Sequence, residues 1–166
     1  MDLICLANST KLGGRCVAGL RLDGNGWVRP IASETAHGQL YSRHYRLEGD
    51  AEPEVLDVIG VDLVEYRPMP DQPENWLIGP KPWTLKQRRG GQELYPMLRA
   101  FLEPGPALLG STSKLVPART DIRALSSLAL IAPTKVRWFL ENDFRGRPQL
   151  RVLFKLRAQP YQRSRN

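Results

Sequence analysis

Cysteine is scarce in this chain of 166 residues, which contains only Cys5 and Cys16. Two cysteines cannot build a disulfide framework, and without a CxxC spacing or a nearby histidine pair they cannot complete a zinc site. We therefore expect both to be small buried apolar residues in a reducing compartment, and we expect no bound metal.

Long apolar runs are also absent. The longest uncharged apolar stretch, Leu125 to Pro133, is about nine residues, far below the ~20 that a membrane helix needs. The chain begins MDLICLANS, with an acidic residue at position 2 and no basic segment, which argues against a secretory signal. These absences predict a cytoplasmic protein that does not associate with membranes.

Established catalytic patterns are missing as well. The sequence has no GxSxG, HExxH, Walker or dinucleotide-binding pattern that would indicate a hydrolase, kinase or dehydrogenase. His37 and His44 lie in a polar segment, residues 32–54, which is predicted to be a long loop. They could act as acid and base in RNA cleavage without a metal. Loop histidines usually have no catalytic role, so we expect a non-enzymatic protein without a cofactor and keep an RNA-processing enzyme as the third alternative.

Basic residues are concentrated in the second half of the chain. Residues 1–83 hold 8 Lys+Arg against 12 Asp+Glu, a net charge of −4, whereas residues 84–166 hold 16 against 5, a net charge of +11. Twelve of those 16 are arginine, which pairs with phosphate through two parallel hydrogen bonds and stacks on bases. This distribution favours a polyanionic partner; the alternative is a solvated basic surface that keeps the protein soluble.

Short apolar segments between turns rich in glycine and proline predict a mainly β fold. Residues 14–22, GRCVAGLRL, alternate like a half-buried strand, and DGNG before Trp27–Ile31 predicts a tight hairpin that places this third strand antiparallel to the second. Residues 8–14, NSTKLGG, are predicted to be a loop. Further strands are expected at Leu3–Ala7, Val55–Tyr66, Lys114–Pro117, Leu128–Ala132, Val136–Leu140 and Gln149–Arg157.

One amphipathic helix is predicted within Gln92–Glu103, where apolar residues recur at i, i+3, i+4 and i+7. Many short strands with one interposed helix are typical of small Greek-key barrels, either one elaborated barrel or two in tandem. Closely spaced prolines in RPMPDQPENW interrupt any strand and indicate a boundary between residues 68 and 80.

Four blocks carry a resemblance to a known family: KLGGRCVAG (Lys11–Gly19), WVRP (Trp27–Pro30), VLDVIGVDL (Val55–Leu63) and QPENW (Gln72–Trp76). In order and spacing they resemble the prokaryotic family described as the dual OB-containing domain, over most of the chain. The resemblance implies two OB-type barrels in tandem, which we place at residues 1–75 and 76–166, and it suggests nucleic-acid binding.

The carboxyl terminus departs from this family pattern. Related chains continue past the position of Gln159 with another strand, whereas this chain ends RAQPYQRSRN. The second barrel is therefore expected to lack its last strand or to borrow a replacement. In that case Gln149–Arg157 would expose an edge that could pair with a protein partner or with a second copy of the chain.

OB barrels bind single strands by combining a basic groove with aromatic faces on which bases stack. Two tryptophans and four basic residues fall in one fourteen-residue window, residues 76–89; the alternative is that both tryptophans fill the junction between the barrels. In the second half, Lys135 and Arg137 share one side of their strand. Arg151, Lys155 and Arg157 share one side of the last strand, so a hairpin between the two would form one basic face.

Lys11 and Arg15 flank Gly13 and Gly14, which invites comparison with loops that bind phosphate through backbone N–H groups. No helix follows these glycines, so a role in turn geometry is favoured. The leading hypothesis is non-enzymatic binding of single-stranded DNA or RNA, and the alternative is an accessory protein-interaction subunit of a defence or mobile-element complex. The predicted binding residues are Lys11, Arg15, Arg29, Trp76, Trp83, Lys86, Arg88, Arg89, Lys135, Arg137, Arg151, Lys155 and Arg157.

Overall fold

The computed structural model describes residues 1–111 and 126–157 in full and residues 159–164 as backbone alone. The predicted fold class is confirmed, because the chain is mainly β with one short helix and a curled sheet that forms half of a barrel. Within the described residues, seven strands form this curled sheet and three later strands form a second sheet.

The strands of the curled sheet are β1 (Asp2–Lys11), β2 (Gly14–Arg21), β3 (Trp27–Ile31), β4 (Val58–Gly60), β5 (Leu63–Tyr66), β6 (Asn75–Ile78) and β7 (Thr84–Gln87). Their order is β5-β6-β3-β2-β1-β4-β7, and neighbours are antiparallel except β3 and β6, which are parallel. The predicted antiparallel pairing of β2 and β3 is confirmed. A bulge in β1 between Cys5 and Ala7 adds the local bend and twist that help a sheet to curl.

The predicted loop at residues 8–14 is corrected to a strand and a tight turn. Residues 8–11 continue β1 and pair with β2 as far as Lys11 opposite Gly14. Leu12 and Gly13 form the turn with φ angles of 46° and 78°, a conformation that glycine adopts without strain. A side chain at position 14 would collide with the carbonyl oxygen of Leu40, so glycine is needed there for close backbone approach.

The predicted single strand Val55–Tyr66 is also corrected, because it divides into β4 and β5. β4 pairs with β1 and β7, whereas β5 pairs with β6 at the other side of the sheet. Between them, the Val61 N–H donates to the Met1 carbonyl and the Asp62 carbonyl accepts from Gly79. The chain therefore changes its pairing partners at this point and cannot continue as one ladder.

The largest apolar core lies between the curled sheet and the segment that connects β3 to β4. Leu3, Cys5 and Val17 contribute from the sheet, and the connecting segment contributes Leu40 and Tyr45. The segment was predicted to be a loop, but it contains a single helical turn, α1 (Ser42–Tyr45). Cys5 is fully buried, as predicted, whereas Cys16 is only half-buried.

Cys5 should resist alkylation in the folded protein. Burial, with a smaller contribution from Asp57, raises the pKa of the Cys5 thiol to about 12, so the reactive thiolate is scarce at neutral pH. A thiol-reactive dye should label Cys16 in buffer and should reach Cys5 only after urea is added. Peptide mass spectrometry checks this, and rapid labelling of Cys5 without urea would contradict the burial.

The predicted helix is present but shorter than Gln92–Glu103. A 3₁₀ turn spans Gln92–Leu94 and leads into α2 (Tyr95–Ala100), which has Pro96 in its first turn as expected. Leu94 packs on Ile4 and Val58 together with Met97 and Leu98. This small second core attaches the helix to β1 and β4.

The second sheet consists of β8 (Thr134–Asn142), β9 (Pro148–Leu156) and β10 (Gln159–Ser164), in the order β10-β9-β8. The predicted edge at Gln149–Arg157 is therefore wrong, because β10 supplies the strand that was expected to be missing and β9 is central. The predicted strand Leu128–Ala132 is reduced to one bridge between Leu130 and Leu102. The predicted strand Lys114–Pro117 lies outside the described residues.

The boundary predicted between residues 75 and 76 falls inside β6. Both β6 and β7 pair with earlier strands, so the curled sheet extends to Gln87. The division into two barrels stays a prediction, and the sheet pairing favours a boundary after Gln87.

Candidate nucleic-acid interface

Carboxylates already neutralise several of the predicted binding residues. Five arginines form ion pairs: Arg15 with Glu52 (2.8 Å), Arg29 with Glu74 (2.7 Å), Arg88 with Asp57 (2.7 Å), Arg89 with Glu54 (3.0 Å) and Arg151 with Glu141 (3.1 Å). A guanidinium that already holds a carboxylate attracts a phosphate less strongly than a solvated cation. These five positions are therefore weaker candidates than the sequence predicts.

Arg29 has a structural position rather than an exposed one. Its side chain is buried beside the carboxylate of Glu74, and the Ser127 hydroxyl donates to Glu74 Oε1 (2.5 Å) and accepts from Arg29 Nη2 (2.8 Å). The WVRP and QPENW blocks meet here, because the Arg29 N–H also donates to the Glu74 carbonyl next to the β3–β6 pairing. This corrects the assignment of Arg29 to nucleic-acid binding and links the curled sheet to residues 126–127.

Arg88 and Arg89 surround the buried carboxylate of Asp57. Arg88 Nη1 and the Arg89 N–H donate to Asp57 at 2.7 and 2.9 Å, and the Glu54 N–H donates at 2.7 Å. The Arg89 guanidinium turns back to Glu54. The basic run at the end of the 76–89 window therefore stabilises the connection before β4, and its charge is balanced by carboxylates of the amino-terminal half.

The two tryptophans of that window lie in different environments. Trp83 is 1% exposed in the main core, so its ring cannot stack on a base, and its predicted binding role is corrected. Trp76 is half-buried, with its ring centroid 5.1 Å from that of Tyr66. Together with Trp27, these two rings line an open cleft of about 360 Å³. Aromatic walls of this kind can accept a base.

Lys11 does not form part of a phosphate-binding loop. The glycines after it make the β1–β2 turn, as the favoured alternative predicts, and Lys11 Nζ donates to the His37 carbonyl at 2.7 Å. Lys11 lies at a second cleft of about 600 Å³, whose wall includes Ile31, Leu77 and Gln72. Lys86, in contrast, is exposed on β7 with no side-chain partner among the described residues.

The two histidines serve different parts of the fold. His44 Nδ1 accepts from the Tyr41 N–H (3.0 Å), which caps α1, and its Nε2 lies 2.7 Å from Glu34 Oε1. His37 is exposed, and its backbone carbonyl receives Lys11. These contacts give His44 a structural role at the start of the helical turn.

The hairpin of β8 and β9 brings together three of the predicted cations. Arg137 pairs opposite Leu153, and Phe139 pairs opposite Arg151, so the side chains of Arg137, Arg151 and Lys155 lie on one face. The opposite face carries Phe154 and Leu156, which are buried against Leu108 and its neighbours. Lys135 lies in a bulge and Arg157 in the turn after β9.

Four cations of this hairpin have no hydrogen bond or ion pair to another side chain within residues 1–111 and 126–157: Lys135, Arg137, Lys155 and Arg157. Residues 134–157 contain seven basic and two acidic residues, a net charge of +5. The uncompensated positive charge of the described chain is therefore greatest here.

Two exposed aromatic residues of the hairpin were missed in the sequence. Trp138 is 60% exposed on β8, and Phe144 is 91% exposed at the hairpin tip, where the Arg145 guanidinium lies 5.1 Å from the ring centroid. Asp143 organises the tip, because the backbone N–H of Arg147, and then that of Arg145, donate to its carboxylate and lower its pKa. The sequence does carry a signal for these two aromatic residues, since Trp138 follows Arg137 and Phe144 precedes Arg145 in the basic half of the chain.

Other kinds of site were sought in the same part of the chain. No group of three or more His, Cys, Asp or Glu residues among the described residues could hold a metal ion. None of the described helices is long and apolar enough to span a bilayer.

Comparison with known proteins agrees with the architecture. A family profile described as the dual OB-containing domain matches residues 1–165. No curated protein and no solved structure gives a significant match. Because the profile match spans essentially the whole sequence, the chain belongs to the dual OB-containing domain family.

Proposed function

We propose that this protein binds single-stranded nucleic acid without cleaving it, and that the β8–β9 hairpin holds the phosphates. The observation that carries the proposal is the group of four cations on this hairpin that no carboxylate of the described residues neutralises. OB folds commonly bind single strands through a positively charged groove, with aromatic side chains against the bases. Membership of an OB-containing family therefore supports nucleic-acid binding as the class of function.

Stacking is assigned to the cleft formed by Trp27, Tyr66 and Trp76. Tyr66 is 51% exposed and Trp76 is tilted against it, so a base entering the cleft would meet aromatic surface without displacing the core. Base–aromatic stacking contributes roughly 1–3 kcal/mol per base and tolerates any sequence. Backbone contacts and sequence-tolerant stacking together predict weak base preference.

Binding should depend steeply on salt. For a single strand, the slope of log affinity against log salt concentration is about −0.7 per phosphate contact. With four contacts, affinity should fall about 100-fold between about 50 and about 300 mM NaCl. Fluorescence anisotropy with labelled single-stranded DNA and RNA measures this, and the matching duplex serves as competitor. No binding at the lower salt concentration would refute the proposal.

A second candidate is binding to a protein, within a defence or mobile-element complex. The exposed apolar side chains of β8 favour it, because such residues on an edge strand are typical of interaction surfaces.

We also propose a cytoplasmic location, which the two unpaired cysteines support.

A further inference from the structure

Strand β8 is an edge of the second sheet within the described part of the chain, since β9 pairs with one side of it only. No strand among residues 1–111, 126–157 and 159–164 pairs with the backbone N–H and C=O groups on its outer side, which can therefore accept a further strand. Natural edge strands are usually protected by charge or by a covering segment. Here Val136, Trp138 and Leu140 are exposed by 46%, 60% and 73% along one face of the strand.

The sequence of β8 is complementary to itself. In the segment Arg137–Glu141, RWFLE, an antiparallel pairing about Phe139 places Arg137 opposite Glu141 of the second copy. The Glu141 carboxylate, which also pairs with Arg151 of its own chain, would then lie between two arginines. The same register places Trp138 opposite Leu140 and Phe139 opposite its own counterpart. Opposite charges, aromatic pairs and aromatic–aliphatic pairs are the cross-strand combinations that stabilise antiparallel sheets.

The two faces of the strand agree with this register. Register with β9 places Arg137, Phe139 and Glu141 on one face and Trp138 and Leu140 on the other. The pairing therefore joins like faces, with charged and aromatic pairs on one side and apolar pairs on the other. The bulge at Lys135 lies before this segment, so the five residues form a regular ladder.

We infer that two copies of this chain associate through β8 into a continuous six-stranded antiparallel sheet with a two-fold axis at Phe139. A contact between single strands buries less surface than a standard interface, so the dimer is expected to dissociate on dilution. The inference does not depend on nucleic-acid binding and is tested without nucleic acid.

Charge exchange tests the register. Light scattering of the wild type at high concentration should give a mass approaching twice 18.8 kDa. The Glu141→Lys substitution places a cation opposite Arg137 of the second copy and also removes the intrachain pair with Arg151. The Arg137→Glu substitution places a carboxylate opposite Glu141 and leaves that intrachain pair intact, so it is the cleaner test of the register. Each single variant should raise the dimer dissociation constant about tenfold to thirtyfold, because the repulsive pair occurs twice. The double variant restores opposite charges and should restore the dimer.

Two results would overturn the inference: a wild type that stays monomeric at all concentrations, or a double variant no more dimeric than the singles. Circular dichroism establishes that each variant is folded. If a charge variant does not fold, a Phe139→Cys variant that also carries Cys16→Ser decides the question, since the two new thiols would meet on the axis and form a covalent dimer on oxidation. The Cys16→Ser change removes the native half-buried thiol from both cysteine variants. Arg145→Cys, at the hairpin tip, is the matched control, and equal cross-linking of both variants refutes the register.

Discussion

Replacing Arg29 with methionine should lower the free energy of unfolding by about 3–5 kcal/mol, because it leaves the buried carboxylate of Glu74 without its cation. Glu74 is 5% exposed, and the hydroxyl groups of Ser126 and Ser127 would be its remaining side-chain partners. Hydrogen bonds from neutral hydroxyl groups cannot compensate a buried charge. Urea unfolding followed by tryptophan fluorescence measures the loss.

The double variant Arg29→Met/Glu74→Leu should lose far less stability than either single variant. Removing both charges leaves side chains of similar volume, and such replacements of buried pairs are often neutral. Arg67→Ala, which breaks the solvent-exposed pair with Glu65, is the control and should have a much smaller effect. Additive losses in the double-mutant cycle would show that Arg29 and Glu74 are not coupled.

Local features of the fold could be predicted from the sequence because their causes are local. The β2–β3 hairpin follows from DGNG, where Gly24 and Gly26 adopt positive φ angles of 78° and 95°. In β9, the alternation that predicts Arg151 and Lys155 on one side leaves Phe154 and Leu156 on the other side, and the structure buries both. The helical period of the apolar residues predicts the helix correctly. The period continues past Ala100, where the helix ends, so the sequence overestimates the length of the helix.

Long-range pairings could not be predicted in this way. The parallel neighbours β3 and β6 are separated by 43 residues that carry no signal of their meeting. An arginine in a sequence shows a charge but not its partner: Arg88 was placed among binding residues although Asp57, 31 positions earlier, holds it. The burial of Trp83 could not be predicted for a related reason, since a tryptophan between basic residues gives the same sequence pattern whether its ring is buried or exposed.

These corrections change which residues test the proposed function. Charge reversal at Arg88 would place a second carboxylate beside buried Asp57, so a loss of binding there would report damage to the fold. The informative cations are those whose removal leaves no buried carboxylate. Lys155 and Arg157 on the hairpin meet this condition, as do Lys81 and Lys86 near β7.

The double variant Lys155→Gln/Arg157→Gln should bind single-stranded oligonucleotides about 50- to 100-fold more weakly than the wild type at about 50 mM NaCl, because two phosphate contacts are lost. The slope of log affinity against log salt should become shallower by about 1.4 for the same reason. Fluorescence anisotropy across a salt series gives both quantities. Neither residue belongs to the self-complementary segment of β8, so the dimer should be retained.

Lys81→Gln/Lys86→Gln is the matched comparison, because it removes the same charge from residues that also lack a side-chain partner within the described chain. It also tests the rival position at β7, where the sequence predicts that Lys86 binds nucleic acid. If binding depends only on general electrostatic attraction, which follows the total charge, both variants should lose affinity equally. Direct phosphate contact acts only where the strand lies, so the hairpin variant should lose affinity and slope while the control keeps both. The reverse result would move the interface to β7 and the curled sheet, and equal losses would leave only nonspecific attraction to a basic protein.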